Sequence, residues 1–237
     1  MDWKILARTD KYCLKLFQDE TNLRAHILLD CSRSMAFQSG KLSKLAYGSY
    51  LAAALTYLLL RQNDAVGVVL FDREIRQHLP PKARPTQFRR VLDLLEDVQP
   101  GGDTNVGRIL HEVAERIRQR GLVIVISDLI DDEAAIANGL QHLCHKHHNV
   151  LVFHVLDPAE LTFPYDQLTR FEDIEGEGSV IANPKSLRSE YLARMKIFLE
   201  RIRDECFSRR ISYNLTNTEQ PYDAMLAACL DKRSRLG

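Results

Sequence analysis

The stretch LRAHILLDCSRSM, residues 23–35, predicts the architecture of this chain. Its continuous apolar run is typical of a strand covered on both faces, and such strands belong to mainly parallel sheets. The run stops at Asp30, and two hydroxyl side chains follow at alternate positions, Ser32 and Ser34. Because ligands in open α/β sheets bind beyond the carboxyl ends of the strands, we expect a functional site at these three residues.

Strand-like and helix-like segments alternate along the rest of the chain. Further core strands are predicted at residues 64–71, 121–127 and 150–156, with a last strand at 211–215. Helices are predicted at residues 43–62, 88–95, 106–118, 131–147, 186–207 and 221–230. This order predicts an α/β fold with a mainly parallel central sheet, right-handed crossovers and helices on both faces.

Three shorter segments complete the predicted β structure. Residues 12–18 alternate in polarity and precede a polar turn, which predicts an antiparallel edge hairpin with the strand that begins near residue 23. Residues 75–79 extend the strand at 64–71 as a second hairpin, and the proline-containing residues 157–184 predict a short β excursion. No repeat or linker divides the chain, so residues 1–237 are expected to form a single domain.

Composition and charge argue against several classes of partner and location. The formal net charge at pH 7 is zero, which gives no support to nucleic-acid binding or to attraction by an acidic membrane. The longest apolar segment, residues 51–60, is shorter than the about 20 residues that span a bilayer. The five cysteines lack CxxC spacing and fit free thiols in a reducing compartment. Since the start of the chain has no signal-peptide pattern, a cytoplasmic protein without a membrane span is expected.

Three predicted loops carry oxygen ligands to one edge of the sheet. The first holds Asp30, Ser32 and Ser34, the second holds Thr104, and the third holds Asp128 directly after a core strand. Carboxylate and hydroxyl oxygens suit Mg²⁺, Mn²⁺ or Ca²⁺ rather than a soft metal. A site with few direct carboxylates leaves the cation electrophilic, so that it can accept an Asp or Glu oxygen from a protein partner. The sequence therefore predicts a divalent-cation site at these five residues.

Each of these residues also has a simpler interpretation as a helix cap. Asp30 could cap the following turn, and Ser32 or Ser34 could cap a following helix. Thr104 or Asp103 could equally cap the helix that begins near residue 106, and Asp128 the helix that begins near residue 131. The ordered combination of all three loops at strand ends favours the metal site over separate caps.

Two other motifs have simpler explanations than binding. The histidine-rich stretch QHLCHKHHN, residues 141–149, could suggest zinc, but histidines near the end of a helix are favoured by its macrodipole and are often solvated. The stretch GGDT at residues 101–104 lacks the lysine and the spacing of a phosphate-binding loop, which argues against nucleotide binding.

The DCSRS motif resembles the DxSxS signature of the metal-ion-dependent adhesion site (MIDAS) in von Willebrand factor type A (vWA) domains. The threonine loop GGDTN and the aspartate loop SDLID extend this resemblance. More narrowly, MDWKILART and KLFQDETNLRAHILLDCSRSM resemble the bacterial family called domain of unknown function 58 (DUF58). The resemblance covers nearly the whole chain and is weak after about residue 157. Members usually carry a further segment before the first motif, so this chain is expected to lack an N-terminal segment.

The resemblance implies a Rossmann-like vWA domain with a divalent cation at its top. It implies that Ser32 and Ser34 bind the metal directly, Thr104 directly or through water, and Asp30 and Asp128 through water. Relatives are often encoded beside MoxR-type AAA+ ATPases and are thought to act with them in chaperone-like assembly or metal insertion. Such an ATPase, or its client, is the partner that the resemblance implies.

Three functional hypotheses compete at this point. The first is a non-enzymatic interaction module that binds a partner's acidic residue through the metal. The second is a Mg²⁺-dependent hydrolase or phosphotransferase with Asp30 as the nucleophile, similar to haloacid-dehalogenase-type phosphatases. Those enzymes need a second aspartate two positions later as the general acid and base, and Ser32 stands there instead. The third is a structural subunit with a vestigial site. The serine at position 32 favours the first.

Overall fold

The structure is a computed structural model that describes residues 23–167, 169–172 and 179–235. Its strands are β1 Arg24–Asp30, β2 Ala65–Phe71, β3 Ile75–Lys82, β4 Leu122–Ser127, β5 Asn149–Leu156, β6 Thr169–Glu172, β7 Ser179–Ala182 and β8 Ser212–Asn217. Six of them form one sheet in the order β3-β2-β1-β4-β5-β8. β3 pairs antiparallel with β2, and every other neighbouring pair in this sheet is parallel.

Helices cover both faces of the six-stranded sheet. They are α1 Lys44–Arg61, α2 Thr86–Glu96, α3 Val106–Arg116, α4 Glu133–His145, α5 Pro158–Thr162, α6 Pro184–Ser208 and α7 Asp223–Ser234, and a 3₁₀ turn covers Arg33–Ala36. Apolar residues of α1, α2 and α7 pack in a cluster on one face, and those of α3, α4 and α6 pack in a cluster on the other. The predicted α/β fold, a mainly parallel sheet between two helical layers, is confirmed.

β1 is covered on both faces and paired with another strand along each edge. Ile27 and Leu29 belong to the cluster under α1, whereas Leu28 belongs to the cluster under α3. β1 pairs with β2 along one edge and with β4 along the other. β1 therefore has no free edge for a hairpin partner in this sheet, and the predicted hairpin pairing with β1 is wrong. The predicted strand at residues 12–18 itself lies outside the described residues.

Other elements differ from the predictions mainly at their ends. The hairpin of β2 with β3 forms as predicted, and β3 extends to Lys82. Within the predicted β excursion, β6 and β7 pair antiparallel, but the excursion opens with the unpredicted helix α5. The last helix begins at Asp223, two residues beyond the predicted start at Pro221.

Two further expectations concern the whole chain. Within the described ranges, no helix is both long enough and apolar enough to cross a membrane. Four of the five cysteines lie in these ranges, namely Cys31, Cys144, Cys206 and Cys229, and all four are free thiols.

His154, in the interior of β5, makes the stability of the fold sensitive to acid. Its side chain is fully buried, and its Nδ1 lies 2.8 Å from the hydroxyl oxygen of Tyr213. Burial lowers the pKa of His154 from 6.5 to about 4. Because the folded pKa lies below the unfolded value, the stabilisation from the neutral imidazole is complete above the unfolded pKa and is lost as the pH falls towards the folded pKa.

We expect acid to destabilise the wild type more than the His154→Phe variant, because phenylalanine takes up no proton on unfolding. From about pH 6.5 to about pH 4.5, the free energy of unfolding of the wild type should fall by about 2–3 kcal/mol more than that of the variant. Urea denaturation at the two pH values measures this difference. The exposed His145→Gln control should behave like the wild type, and equal acid losses in wild type and His154→Phe would contradict the prediction.

Candidate metal centre

The five predicted site residues lie at the carboxyl ends of the neighbouring strands β1 and β4. Asp30 ends β1, and Asp128 directly follows β4; both side chains are fully buried. Ser32 and Ser34 follow β1 and are buried as well. Thr104 reaches the same place from the loop before α3, where its Oγ1 lies 3.4 Å from Asp30 Oδ2. The structure thus brings the three predicted loops together.

Asp30 is the centre of the hydrogen bonds in the site. Its Oδ1 accepts a hydrogen bond from the backbone N–H of Ser32 at 2.9 Å, and its Oδ2 accepts one from the Ser127 hydroxyl at 2.7 Å. Burial and the nearby charge of Asp128 raise the pKa of Asp30 to about 7, although the bonds from Ser127 and Ser32 oppose this shift. Because the charge of Asp128 disfavours the ionised form of Asp30, a cation bound beside Asp30 would relieve this repulsion.

The two serine hydroxyls after β1 contact each other. Ser32 Oγ and Ser34 Oγ lie 3.1 Å apart in a hydrogen bond in which either can be the donor. Ser32 occupies the N-cap position of the 3₁₀ turn, but its side chain makes no capping hydrogen bond. Both hydroxyl oxygens therefore remain available as ligands.

The helix caps near the site are supplied by other residues. Asn105 caps α3, and Asp132 caps α4, each through a side-chain oxygen that accepts a backbone N–H bond. The capping interpretation of Thr104 and Asp128 is therefore wrong, because neighbours in the sequence already fill that role.

Backbone hydrogen bonds fix the threonine loop against the loop after β1. The Arg33 N–H donates to the Gly102 carbonyl at 3.0 Å, and the Gly101 N–H donates to the Cys31 carbonyl at 2.8 Å. The Gly102 N–H also donates to Asp72 Oδ2 at 3.1 Å, just beyond the end of β2. A Cβ atom at Gly101 would lie 2.5 Å from that same oxygen, so a larger residue there would displace the Asp72 side chain. The loop that carries Thr104 is thus held by residues that follow β1 and β2.

A buried lysine, which the sequence analysis missed, binds the predicted ligand Asp128. The Lys44 ammonium donates to Asp128 Oδ2 at 2.7 Å and to Glu160 Oε1 at 2.6 Å. The side chains of Lys44 and Asp128 are fully buried, and that of Glu160 is 15% exposed. Burial lowers the pKa of Lys44, but the charges of Asp128 and Glu160 outweigh it, so the pKa lies above its usual value. Lys44 therefore stays charged and compensates part of the negative charge of the site.

Two signals in the sequence could have identified the missed residues. Lys44 stands in the first turn of a helix, where the macrodipole disfavours a cation, so its position calls for a separate explanation. Glu160 forms a capping box with Asp157 at the start of α5, a pattern visible from the spacing of the two acids. Ser127, which binds Asp30, gave no signal beyond its place at the end of a core strand.

The donor set fits a hard divalent cation better than a soft metal. Hydroxyls from two loops lie close to the Asp30 carboxylate, and oxygen donors of this kind suit Mg²⁺, Mn²⁺ or Ca²⁺. Among the described residues, no three His, Cys, Asp or Glu side chains cluster so as to hold a metal ion. The predicted site differs from such clusters because three of its five members are Ser or Thr.

Comparison with families and curated proteins gives relatives without an assigned function. The family described as "Protein of unknown function DUF58" matches residues 1–197. "Uncharacterized protein Rv1480" of Mycobacterium tuberculosis and "Uncharacterized protein Mb1516" of Mycobacterium bovis are each 23% identical to this chain over 169 residues. The matches cover 69% of this chain and 52% of each relative, so the chain spans about half the length of the curated relatives it matches.

Solved structures share the fold at low sequence identity. "Conserved hypothetical protein BatB" of Bacteroides thetaiotaomicron is 20% identical, with a TM-score of 0.62, and the match covers 90% of this chain and 98% of that one. An "aerotolerance-related membrane protein" of Bacteroides fragilis is 17% identical with the same TM-score, over 90% of this chain and 99% of that one. The pilus adhesin SpaC of Lactobacillus rhamnosus, in its open conformation, has a TM-score of 0.54 at 10% identity, over 90% of this chain and 30% of that one.

Proposed function

The chain belongs to the family described as "Protein of unknown function DUF58", and from this premise we propose that it is a non-enzymatic protein-interaction module. In this proposal, Ser32, Ser34 and Thr104 hold a divalent cation, Mg²⁺ or else Mn²⁺ or Ca²⁺, and Asp30 and Asp128 act through water. The cation supplies a Lewis-acidic docking point for an Asp or Glu side chain of a protein partner.

One observation carries this proposal: hydroxyl-bearing side chains from two separate loops lie beside a buried carboxylate. Ser32 and Ser34 lie 3.1 Å apart, and Thr104 lies 3.4 Å from Asp30. The nearby caps are supplied by Asn105 and Asp132, so helix capping does not account for Thr104 or Asp128. A hydroxyl-rich shell adds little negative charge, which leaves a bound cation able to accept an oxygen from outside.

The hydrolase alternative finds less support in the geometry. Asp30 is fully buried and accepts hydrogen bonds on both carboxylate oxygens, from Ser32 and from Ser127, which is a poor environment for a nucleophile. Ser32 cannot replace the aspartate that such enzymes use as general acid and base, because a hydroxyl ionises at far too high a pH. No observation in the described part of the chain favours this reaction over docking.

For the identity of the partner, we propose a MoxR-type AAA+ ATPase or one of its client proteins. This part of the proposal depends on the family resemblance alone, whereas the chemistry of docking depends on the site. In this role the protein would present its metal-bearing edge to an acidic residue of the ATPase or client, in a chaperone-like assembly step.

We expect partner capture to require both the cation and the serine-rich loop. The tagged wild type should retain partner proteins from a lysate of its native host in buffer with Mg²⁺, and lose them when EDTA replaces Mg²⁺. Asp30→Ala combined with Ser32→Ala should lose the same proteins in Mg²⁺, because the cation site is removed. Quantitative mass spectrometry of the retained proteins measures the effect.

The exposed Ser186→Ala substitution on α6 serves as the control and should retain the partners. Thermal unfolding of the double variant checks that it is folded. Retention of the same partners by wild type in EDTA would contradict the metal-dependent proposal and would favour the vestigial site.

A further inference from the structure

A cavity lies at the opposite end of the sheet from the candidate metal centre. Its volume is about 290 Å³, and it is bounded by the first half of β1, by β2 and β3, and by the end of α3. Arg24 begins β1 and lines the cavity, whereas Asp30 ends the same strand. Arg24 and Asp30 are six residues apart in the strand, and at about 3.3 Å per residue they are separated by roughly 20 Å. The cavity is therefore independent of the metal centre.

The floor of this cavity is apolar. Its walls include Val69 from β2, Ile75 and Pro81 from β3, and Val113 and Ile117 from the end of α3. A lining of this kind favours the hydrocarbon part of a ligand, because burial of apolar surface is favourable.

The rim is positively charged. Arg24, Arg116 and Arg118 line it together with the imidazoles of His26 and His78, and no Asp or Glu of the described residues belongs to the lining. Arg116 is paired with Glu112 on the same helix, but Arg24 and Arg118 form no ion pair within the part of the chain that the structure describes. Three guanidinium groups around an apolar cavity select for a ligand with a negative charge.

His26 adds a buried polar group that lacks a partner. Its side chain is 5% exposed and lines the cavity, and its Nδ1 has no hydrogen-bond partner among the described residues. Burial, and then the positive charges of His148, His78 and Arg24, lower the pKa of His26 to about 4. Because the His26 ring lines the cavity, its signals can report the arrival of a ligand there.

From this arrangement we propose that the cavity binds a small organic carboxylate with an apolar or aromatic body. The arginine rim binds the carboxylate, and the side chains of β2, β3 and α3 pack around the body. A carboxylate fits better than inorganic phosphate, because the apolar floor offers no hydrogen-bond partners for the further oxygens of phosphate. The proposal does not depend on the proposed metal-dependent docking.

Benzoate is a suitable probe because it combines a carboxylate with an aromatic body of small volume. The full chain, labelled with ¹³C in its histidine rings, is titrated with benzoate, benzyl alcohol or inorganic phosphate and followed by NMR. Benzoate should shift the His26 ring signals in a saturable manner. Benzyl alcohol, which has the same ring without the charge, should bind at least about tenfold more weakly than benzoate. Inorganic phosphate should also bind at least about tenfold more weakly.

Two rim variants and one control locate the site. Arg24→Gln and Arg116→Gln should each weaken benzoate binding by about tenfold, since each removes a charge-assisted hydrogen bond. Arg108→Gln removes an exposed arginine that lies in α3, like Arg116, but does not line the cavity. This variant should leave the affinity for benzoate unchanged. Ser32→Ala with Ser34→Ala should also leave it unchanged, which separates this site from the metal centre.

Three results would overturn the proposal. One is the absence of saturable shifts with benzoate, and another is equal affinity for benzoate and benzyl alcohol. The third is unchanged benzoate affinity in both rim variants, which would place any binding elsewhere.

Discussion

Replacement of Ser32 and Ser34 together by alanine should lower the affinity for Mg²⁺ or Mn²⁺ by about 100-fold or more. The estimate is conservative, because loss of groups that only support the direct ligands of a metal already costs about 10–100-fold. Here two proposed direct ligands disappear at once. Isothermal titration calorimetry of the metal into wild type and variant measures the difference.

The same double variant should remain folded, which makes the experiment informative. The two hydroxyls bind each other at 3.1 Å, and removal of both partners of a hydrogen bond leaves neither one unsatisfied. The Ser186→Ala variant should bind metal like the wild type. If the double variant bound metal as tightly as the wild type, the serine hydroxyls would not be ligands.

Replacement of Lys44 by methionine should lower the free energy of unfolding by about 3–5 kcal/mol in metal-free buffer. The lysine is fully buried between Asp128 and Glu160, at 2.7 and 2.6 Å from their carboxylate oxygens. Methionine fills similar space but leaves two carboxylates without their shared cation. Urea denaturation in the presence of EDTA measures the loss.

Two matched variants test this explanation. Lys41→Met changes an exposed lysine nearby and should shift stability by less than about 0.5 kcal/mol. Lys44→Met combined with Glu160→Gln removes one of the two carboxylates left without a cation. This combination should recover part of the lost free energy of unfolding. A loss below about 1 kcal/mol in Lys44→Met would mean that the ion pairs contribute little to stability.

Mg²⁺ should stabilise the Lys44→Met variant more than it stabilises the wild type. Without the lysine, the carboxylate of Asp128 adds its full negative charge to the site, so the cation binds the folded state more tightly. Tighter binding to the folded state raises the free energy of unfolding by mass action. An equal or smaller gain in the variant would show that Lys44 does not compete with the cation for Asp128.

The main features of the fold could be predicted from local patterns. The apolar run of β1 indicated coverage on both faces, and the two apolar clusters cover it on both faces. The positions of Asp30 and Asp128 at strand ends could be predicted as well, because parallel strands bring their carboxyl ends to one edge. Their proximity follows from topology and needs no detail of packing.

The parts that could not be predicted depend on contacts between distant segments. Lys44 lies 84 residues from Asp128 and 116 residues from Glu160, so no local pattern pairs them. The hairpin expected from residues 12–18 failed for a related reason. Adjacent strand-like segments favour a hairpin locally, but both edges of β1 are taken by strands that follow much later in the chain.

One helix begins later than its apolar pattern predicts, because a capping residue sets its start. The helix expected at residues 131–147 begins after Asp132, whose side chain accepts the N–H of Ala135. Because Asp132 supplies this cap, Asp128 can bind Lys44 in the candidate centre. The local sequence SDLIDD thus determines both where this helix begins and which aspartate belongs to the candidate centre.

The most direct test of the central claim is a titration of the wild type with Mn²⁺, in which free Mn²⁺ is followed by its electron paramagnetic resonance signal. A single saturable site that Mg²⁺ displaces, and that is absent from the Ser32→Ala, Ser34→Ala variant, is the predicted result. A signal that shows all added Mn²⁺ to be free, or binding that the variant retains, would contradict it.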